Sequence, residues 1–278
     1  MRNLTTFLLF GVIFVSTISA QNSVVPIVYG ETLLGGAHNG KWVTAEQTER
    51  QFKDKTEFKL IGFTEIELGV FVGTKAERGV CENARITFAK LDGEAEDNDE
   101  QNLMLGTFAD WDPLPRIPKK IALSNKANHK IVADFLKTNG ISITKINITQ
   151  AFRIDLESDG KDEIIITGIY LKKAKKGEEI AADGQQSAGD YSFILLRKTV
   201  KGKPQNILIE GDFYTSKLLR SGEYPMPSVR EIAAIADLNG DGKMEFVLRE
   251  IYYEGNRTAV FEIKNGKLVK VLESECSV

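Results

Sequence analysis

Histidine is scarce in this sequence. The 278 residues contain only two, His38 and His129, so a metal centre built from several imidazole ligands is excluded. A Ser-His-Asp triad would have to use one of these two residues, and the chain contains no Gly-x-Ser-x-Gly nucleophile motif. The sequence therefore gives no support to the commonest hydrolase and metalloenzyme chemistries.

Long apolar runs are absent after the first 20 residues. Residues 1–20 combine a short basic start at Arg2, an apolar segment and a small-residue cleavage motif at Ser19 and Ala20, which predicts a cleaved signal peptide. The alternative is an uncleaved N-terminal anchor, although the apolar segment is shorter than the ~20 residues of a spanning helix. We therefore expect a secreted or periplasmic protein with no membrane span in the mature chain.

Cysteine is also scarce, with two residues in the chain, Cys81 and Cys276. An even pair in an exported chain favours one disulfide bond, which would tie the C-terminus to the N-terminal half. In the chain-entropy model such a bond stabilises the native state by up to ~5 kcal/mol. Two buried free thiols are the alternative.

Positive charge is not in excess, because 36 lysines and arginines are balanced by 39 aspartates and glutamates. A net charge of -3 provides no electrostatic footprint for nucleic acid. The sequence is 42% hydrophobic and 27% charged, which is typical of a folded globular protein.

An acidic motif, in contrast, occurs twice. It reads DLESDGKDEIII at residues 155–166 and DLNGDGKMEFVL at residues 237–248. Each copy follows a short apolar run and precedes segments rich in β-branched and aromatic residues, which predicts strands on both sides. We therefore predict two repeats of about four short strands each, with the acidic loop between the first and second strand.

The same patterns give the domain organisation of a mainly β protein. Residues 21–123 are predicted to form an N-terminal β region, and residues 141–278 a repeat module with copies at about 147–211 and 229–275. One helix is predicted at residues 124–140, where apolar residues recur at helical spacing between an N-cap and an Asn-Gly stop.

The acidic motif supplies the ligands that calcium prefers. In D-x-[DN]-x-D-G, alternate side chains point oxygen atoms inward, and glycine permits the left-handed turn that aims a later carbonyl at the same centre. Oxygen ligands without histidine or cysteine argue against zinc and copper. The predicted metal ligands of the second copy are the side chains of Asp237, Asn239, Asp241 and Glu245 and the carbonyl of Lys243. Those of the first copy are the side chains of Asp155, Glu157, Asp159 and Glu163 and the carbonyl of Lys161.

A turn without metal is the alternative for both copies, because Asp, Asn and Gly favour Asx-type turns through local hydrogen bonds alone. The first copy departs further from the metal-binding pattern, since Glu157 is longer than Asp or Asn and Ser158 replaces glycine. An EF-hand is excluded for both copies, because the position of its bidentate glutamate is Ile166 in one and Leu248 in the other.

The stretches IDLESDGKDEIII and ADLNGDGKMEFVL resemble the FG-GAP and VCBS-type repeats of integrin-like β-propellers and exported bacterial proteins. The resemblance extends from Asn147 to the C-terminus. It implies that each copy is a four-stranded antiparallel unit like a propeller blade, with a structural calcium ion in its acidic loop. The chain departs from the family pattern in having two such loops rather than several, and in lacking a Phe-Gly…Gly-Ala-Pro segment.

Two classes of function are compatible with these observations. The favoured class is an exported calcium-binding repeat protein that serves as a binding or scaffold module for an unknown protein or carbohydrate ligand. The alternative is an exported hydrolase that uses carboxylates or a metal-bound water. The acidic run at residues 94–100, with Trp42 and Trp111, is where we would expect sugar binding, although a solvated loop and packed tryptophans are the simpler interpretation. A metal site open beside a concave pocket would favour the hydrolase, and a fully coordinated site the binding module.

Overall fold

The computed structural model describes residues 23–74, 77–78, 81, 84–85, 88–90, 102–142, 145–173, 186–222, 226–253 and 255–277. The predicted signal peptide, the acidic run at residues 94–100 and most of the polar insertion between the second and third strands of the first repeat lie outside these residues. The described part is mainly β, as predicted, and forms three antiparallel sheets.

The described residues of the N-terminal region form a sheet of nine strands. Their bounds are β1 Val25–Tyr29, β2 Thr32–His38, β3 Lys41–Thr44, β4 Thr56–Ile61, β5 Ile66–Gly73, β6 Glu77–Arg78, β7 Ala84–Arg85, β8 Phe88–Lys90 and β9 Leu103–Gly106. The order is β6-β7-β2-β1-β9-β4-β5-β8, and β3 pairs with β2. This arrangement puts the β2–β3 hairpin close to the last strand of the chain, where a Cβ on Gly35 would meet the side chain of Leu272.

Each predicted repeat is an antiparallel meander. The first consists of β11 Ile148–Ile154, β12 Glu163–Tyr170, β13 Tyr191–Val200 and β14 Lys203–Phe213, and gains a fifth edge strand, β10 Lys119–Lys120. The second consists of β15 Ser228–Ala236, β16 Glu245–Tyr252, β17 Gly255–Lys264 and β18 Lys267–Ser277. The two predicted four-stranded units are therefore confirmed.

The side chain of Gln150 joins the two repeats. Its Oε1 accepts the Ile232 N–H at 2.7 Å, and its Nε2 donates to the Ile232 carbonyl at 3.0 Å. Gln150 therefore pairs with β15 as a neighbouring backbone would, which fixes the first repeat against the second. The main hydrophobic core lies where the N-terminal sheet meets both repeats, and includes Ile27, Leu196 and Val260.

The predicted helix is present as α2, Lys126–Thr138. The Asn125 side chain caps it by accepting the backbone N–H groups of Ala127 and Asn128. Val132 and Leu136 are fully buried against the first repeat, so the helix covers one face of that sheet.

The prediction of a single helix is wrong. Two short helices also occur among the described residues, α1 Ala45–Gln51 and α3 Ser216–Ser221. Each begins at a threonine, Thr44 or Thr215, whose hydroxyl accepts a backbone N–H of the first turn. At one to two turns, each is too short to produce the repeated apolar spacing from which a helix is read in sequence.

Cys81 and Cys276 come together as a disulfide-compatible pair, with their Cα atoms 5.3 Å apart. That separation lies within the usual range of about 4.4 to 6.8 Å. The pair links the last strand to the N-terminal region, as predicted. Within the described ranges, no helix has the length and apolar character needed to cross a membrane.

Candidate metal centre

The two acidic loops occupy equivalent turns and lie side by side. Residues 155–162, the first loop, connect β11 to β12, and residues 237–244, the second loop, connect β15 to β16. The Met244 N–H donates to the Leu156 carbonyl at 2.9 Å, which joins the two loops directly. The repeat in the sequence is thus a pair of adjacent loops at one edge of the module.

The second loop is folded by its own predicted ligands. These side chains accept backbone N–H groups at 2.7 to 2.9 Å: Asp237 from Gly240 and Gly242, Asn239 from Asp241, and Asp241 from Lys243. Gly240 and Gly242 both have a left-handed backbone, with φ of 78° and 79°. This is the Asx-type geometry that the motif predicts, and it is common to the metal-bound and metal-free interpretations.

Burial dominates the electrostatics of the second loop. Asp237 is 2% exposed and Glu245 is 1% exposed. Burial raises the pKa of Glu245 to about 9, even though its Oε2 accepts the Leu238 N–H, and the carboxylates of Asp237 and Asp241 raise it further. Burial also raises the pKa of Asp237. The loop therefore concentrates carboxylates in a place where negative charge is poorly solvated.

Glu262 adds a further carboxylate that the motif does not contain. It lies on β17. The register between β16 and β17, which pairs Phe246 with Phe261, places it opposite Glu245. Its Oε2 accepts the indole N–H of Trp42 at 2.9 Å. The signal for Glu262 is the strand register, which cannot be read from the loop sequence.

The first loop has the same backbone pattern. Asp155 accepts the N–H groups of Asp159 and Gly160, and Glu163 accepts the Leu156 N–H at 3.0 Å. Burial raises the pKa of Glu163 to about 7. A hydrogen bond from the Lys161 side chain lowers the pKa of Asp159.

Glu157 differs from its counterpart Asn239. Its carboxylate forms an ion pair with the ammonium group of Lys198 on β13, which is buried. The positive charge of Lys198 also lowers the pKa of Asp159 and Glu163, although other effects are larger. Lys198 is absent from the predicted ligand set because it lies two strands beyond the start of the motif.

An extended connector, residues 108–118, holds both loops. Arg116 donates to the Asp155 carbonyl at 2.7 Å, to Ser158 Oγ at 3.2 Å and to the Gly242 carbonyl at 2.8 Å. The indole N–H of Trp111 donates to the Asp237 carbonyl at 2.9 Å. Both tryptophans considered for sugar binding thus use their N–H groups inside the protein, beside the second loop.

The chemistry of the second loop fits a hard cation such as calcium, because every predicted donor is an oxygen atom and, within the described residues, the buried acids form no ion pair with a buried cation. Among the described residues, the buried Glu262 is paired with Lys264, whose side chain is 66% exposed, and the exposed Asp241 is paired with Lys243, whose side chain is 43% exposed. As the side chains lie, no group of three or more His, Cys, Asp or Glu residues among the described positions is arranged to hold a metal. Two of the five predicted ligands, Asn239 and the Lys243 carbonyl, are of other types.

Two of the cavities lined by described residues lie away from the acidic loops. One, of about 490 Å³, is lined by residues around Phe63, Lys120 and Phe152. The other, of about 740 Å³, is lined by residues of the N-terminal sheet and α1, including Pro26 and Arg50. Neither has a residue of either acidic loop in its wall, so neither supplies the concave pocket that the hydrolase alternative requires.

No protein-family model, curated protein or solved structure matches this chain. The resemblance to FG-GAP and VCBS-type repeats therefore rests on the two motifs and stays a prediction.

Proposed function

We propose that the chain is an exported calcium-binding β-repeat protein that acts as a binding or scaffold module for an extracellular or envelope partner. The observation that carries the proposal is the burial of Asp237 and of Glu245, which lies opposite the buried Glu262. Buried carboxylates are costly unless a cation neutralises them. A calcium ion in the second loop would supply that charge, and oxygen ligands are the donors that calcium prefers.

The residues around the second loop suggest a structural role for the ion. Asp237, Asn239, Asp241 and Glu245 and the Lys243 carbonyl would hold it. Trp42 donates to Glu262 from the N-terminal sheet, and Trp111 donates to the Asp237 carbonyl from the connector. An ion at this position would therefore stabilise the junction between the repeat module and the N-terminal sheet, which suits a rigid scaffold.

Export is supported by the signal-peptide pattern and by the disulfide-compatible cysteines, since such bonds persist in oxidising compartments. The proposed partner is a protein or a carbohydrate outside the cytoplasm. The mildly acidic composition does not favour nucleic acid.

Isothermal titration of the chelator-treated mature protein with calcium tests this function. We expect heat of binding from the wild type and its loss in Asp237→Ala and Asp241→Ala, which remove predicted ligands. Asp134→Ala is the matched control, because Asp134 is an exposed aspartate on α2, and it should bind as the wild type does. Equal calcium binding by all four proteins would contradict the proposal.

A further inference from the structure

We infer that the two loops are unequal: the second loop takes a divalent cation, whereas the first loop is neutralised by the ammonium group of Lys198 and takes none. This inference rests on the proposed function and concerns which residues of the same edge perform it. Its basis is one position that is structurally equivalent in the two repeats and carries opposite charges, Lys198 in the first repeat and Glu262 in the second.

The equivalence follows from strand register. In the first repeat Ile164 pairs with Arg197, which puts Glu163 opposite Lys198. In the second repeat Phe246 pairs with Phe261, which puts Glu245 opposite Glu262. Residues directly opposite in an antiparallel pair project from the same face, with Cβ atoms about 4.5 to 5.5 Å apart. Each loop therefore has one additional charged side chain in the same place, and the two charges have opposite sign.

Lys198 is already committed to the first loop. It is 5% exposed, and its ammonium group forms an ion pair with Glu157. A buried ammonium group is retained only where carboxylates neutralise it. A divalent ion in this loop would compete with Lys198 for the same carboxylates and would be repelled by its charge.

Two differences between the repeats, at the positions of Glu157 and Lys198, explain each other. Glu157 replaces the shorter side chain found at Asn239, and Lys198 replaces the acid found at Glu262. The longer Glu157 carboxylate contacts the Lys198 ammonium group. An amide at position 157 would leave that buried charge without this ion pair. The presence of Lys198 in the first repeat therefore accounts for a glutamate at position 157.

Glu262 adds a negative charge beside the second loop, where the first loop has the positive charge of Lys198. It is 8% exposed, and its Oε1 is buried with no hydrogen-bond partner. The Lys264 ammonium group lies 3.5 Å from this atom, but most of that side chain is exposed to solvent. Glu262 thus places a buried carboxylate, held by one exposed lysine and one indole N–H, opposite Glu245, and a bound cation would neutralise this pair of buried acids.

The test is the number of calcium ions bound per chain, measured by equilibrium dialysis of the mature protein after chelator treatment. The wild type should bind one. Asp155→Ala should keep that ion, and Asp237→Ala should lose it. Two ions in the wild type, or loss of the ion in Asp155→Ala alone, would overturn the inference and leave the proposed function standing. No ion in the wild type would overturn both.

Exchanging the charges gives a sharper result. Lys198→Glu should bind a second calcium, and Glu262→Lys should bind none while staying folded in EDTA, because the new ammonium group replaces the ion. Lys198→Met keeps the aliphatic stem and removes only the charge, so it serves if Lys198→Glu does not fold, and it too should gain an ion. Lys201→Glu, in the exposed β13–β14 turn, is the matched control and should bind one. An unchanged count of one in both Lys198→Met and Glu262→Lys would contradict the inference.

Discussion

At the scale of single residues, the second loop depends on two glycines with the same backbone conformation and different surroundings. Gly240 and Gly242 both have positive φ. A Cβ at Gly240 would lie 2.8 Å from Cδ2 of Trp111, whereas a Cβ at Gly242 would meet nothing within 4 Å. Substitutions at the two glycines therefore measure the effect of backbone strain separately from the effect of displacing Trp111.

We predict that Gly242→Ala lowers the free energy of unfolding by about 1 to 2 kcal/mol, the usual cost of a left-handed backbone with a side chain. Gly240→Ala should cost at least ~1 kcal/mol more, because it must also displace Trp111. Urea unfolding of the two variants and the wild type in EDTA measures this difference. Equal losses would show that the contact of Trp111 with the loop contributes nothing.

At the scale of secondary-structure elements, one arginine connects strands of both repeats. Arg257 on β17 donates to Glu250 on β16 at 2.6 Å and to Glu273 on β18 at 2.9 Å, and also contacts Glu210 on β14 of the first repeat. Burial raises the pKa of Glu273, but hydrogen bonds from Lys270 and Arg257 outweigh that effect and hold the pKa below its usual value.

This lowered pKa predicts the direction of a pH effect. Because Glu273 binds a proton less readily in the folded state, its contribution to stability is present above about pH 4.5 and is lost as the pH falls further. Glu273→Gln should therefore be less stable than the wild type at pH 6. The loss in the free energy of unfolding should be less than ~1 kcal/mol, because the side chain is partly exposed. The difference should shrink towards pH 3.

The exposed Glu65 in the β4–β5 turn provides the control. Glu65→Gln should keep the same small difference from the wild type across this range. A difference between Glu273→Gln and the wild type that does not change between pH 6 and pH 3 would rule out the proposed role of Glu273.

At the scale of the whole molecule, what sequence could predict was local. The acidic loops, the capped helix α2 and the strands beside each loop all carry their signals within a few residues, and the structure contains each of them. Glu262, Lys198 and Trp42 carry no such signal, because strand register and the packing of sheets bring them to the loops. The charges that distinguish the two loops therefore become visible only when the sheets are assembled.

The position of the second loop means that the proposed ion would affect the stability of the whole molecule. The first loop contacts the second loop through Leu156 and Met244, and the connector contacts it through Trp111. Trp42 of the N-terminal sheet contacts Glu262, which lies opposite Glu245 at the end of the loop. An ion that binds only the native arrangement of these parts stabilises all of them together.

The melting temperature of the protein without residues 1–20, measured in excess EDTA and then in millimolar calcium or magnesium, tests this claim most directly. A ligand at about 100 times its Kd adds ~2.7 kcal/mol to the free energy of unfolding, so calcium should raise the melting temperature by several degrees. Magnesium should raise it less, because it demands a smaller, near-octahedral site and gives up its water reluctantly. An unchanged melting temperature in calcium would contradict the account and leave both loops as turns without metal.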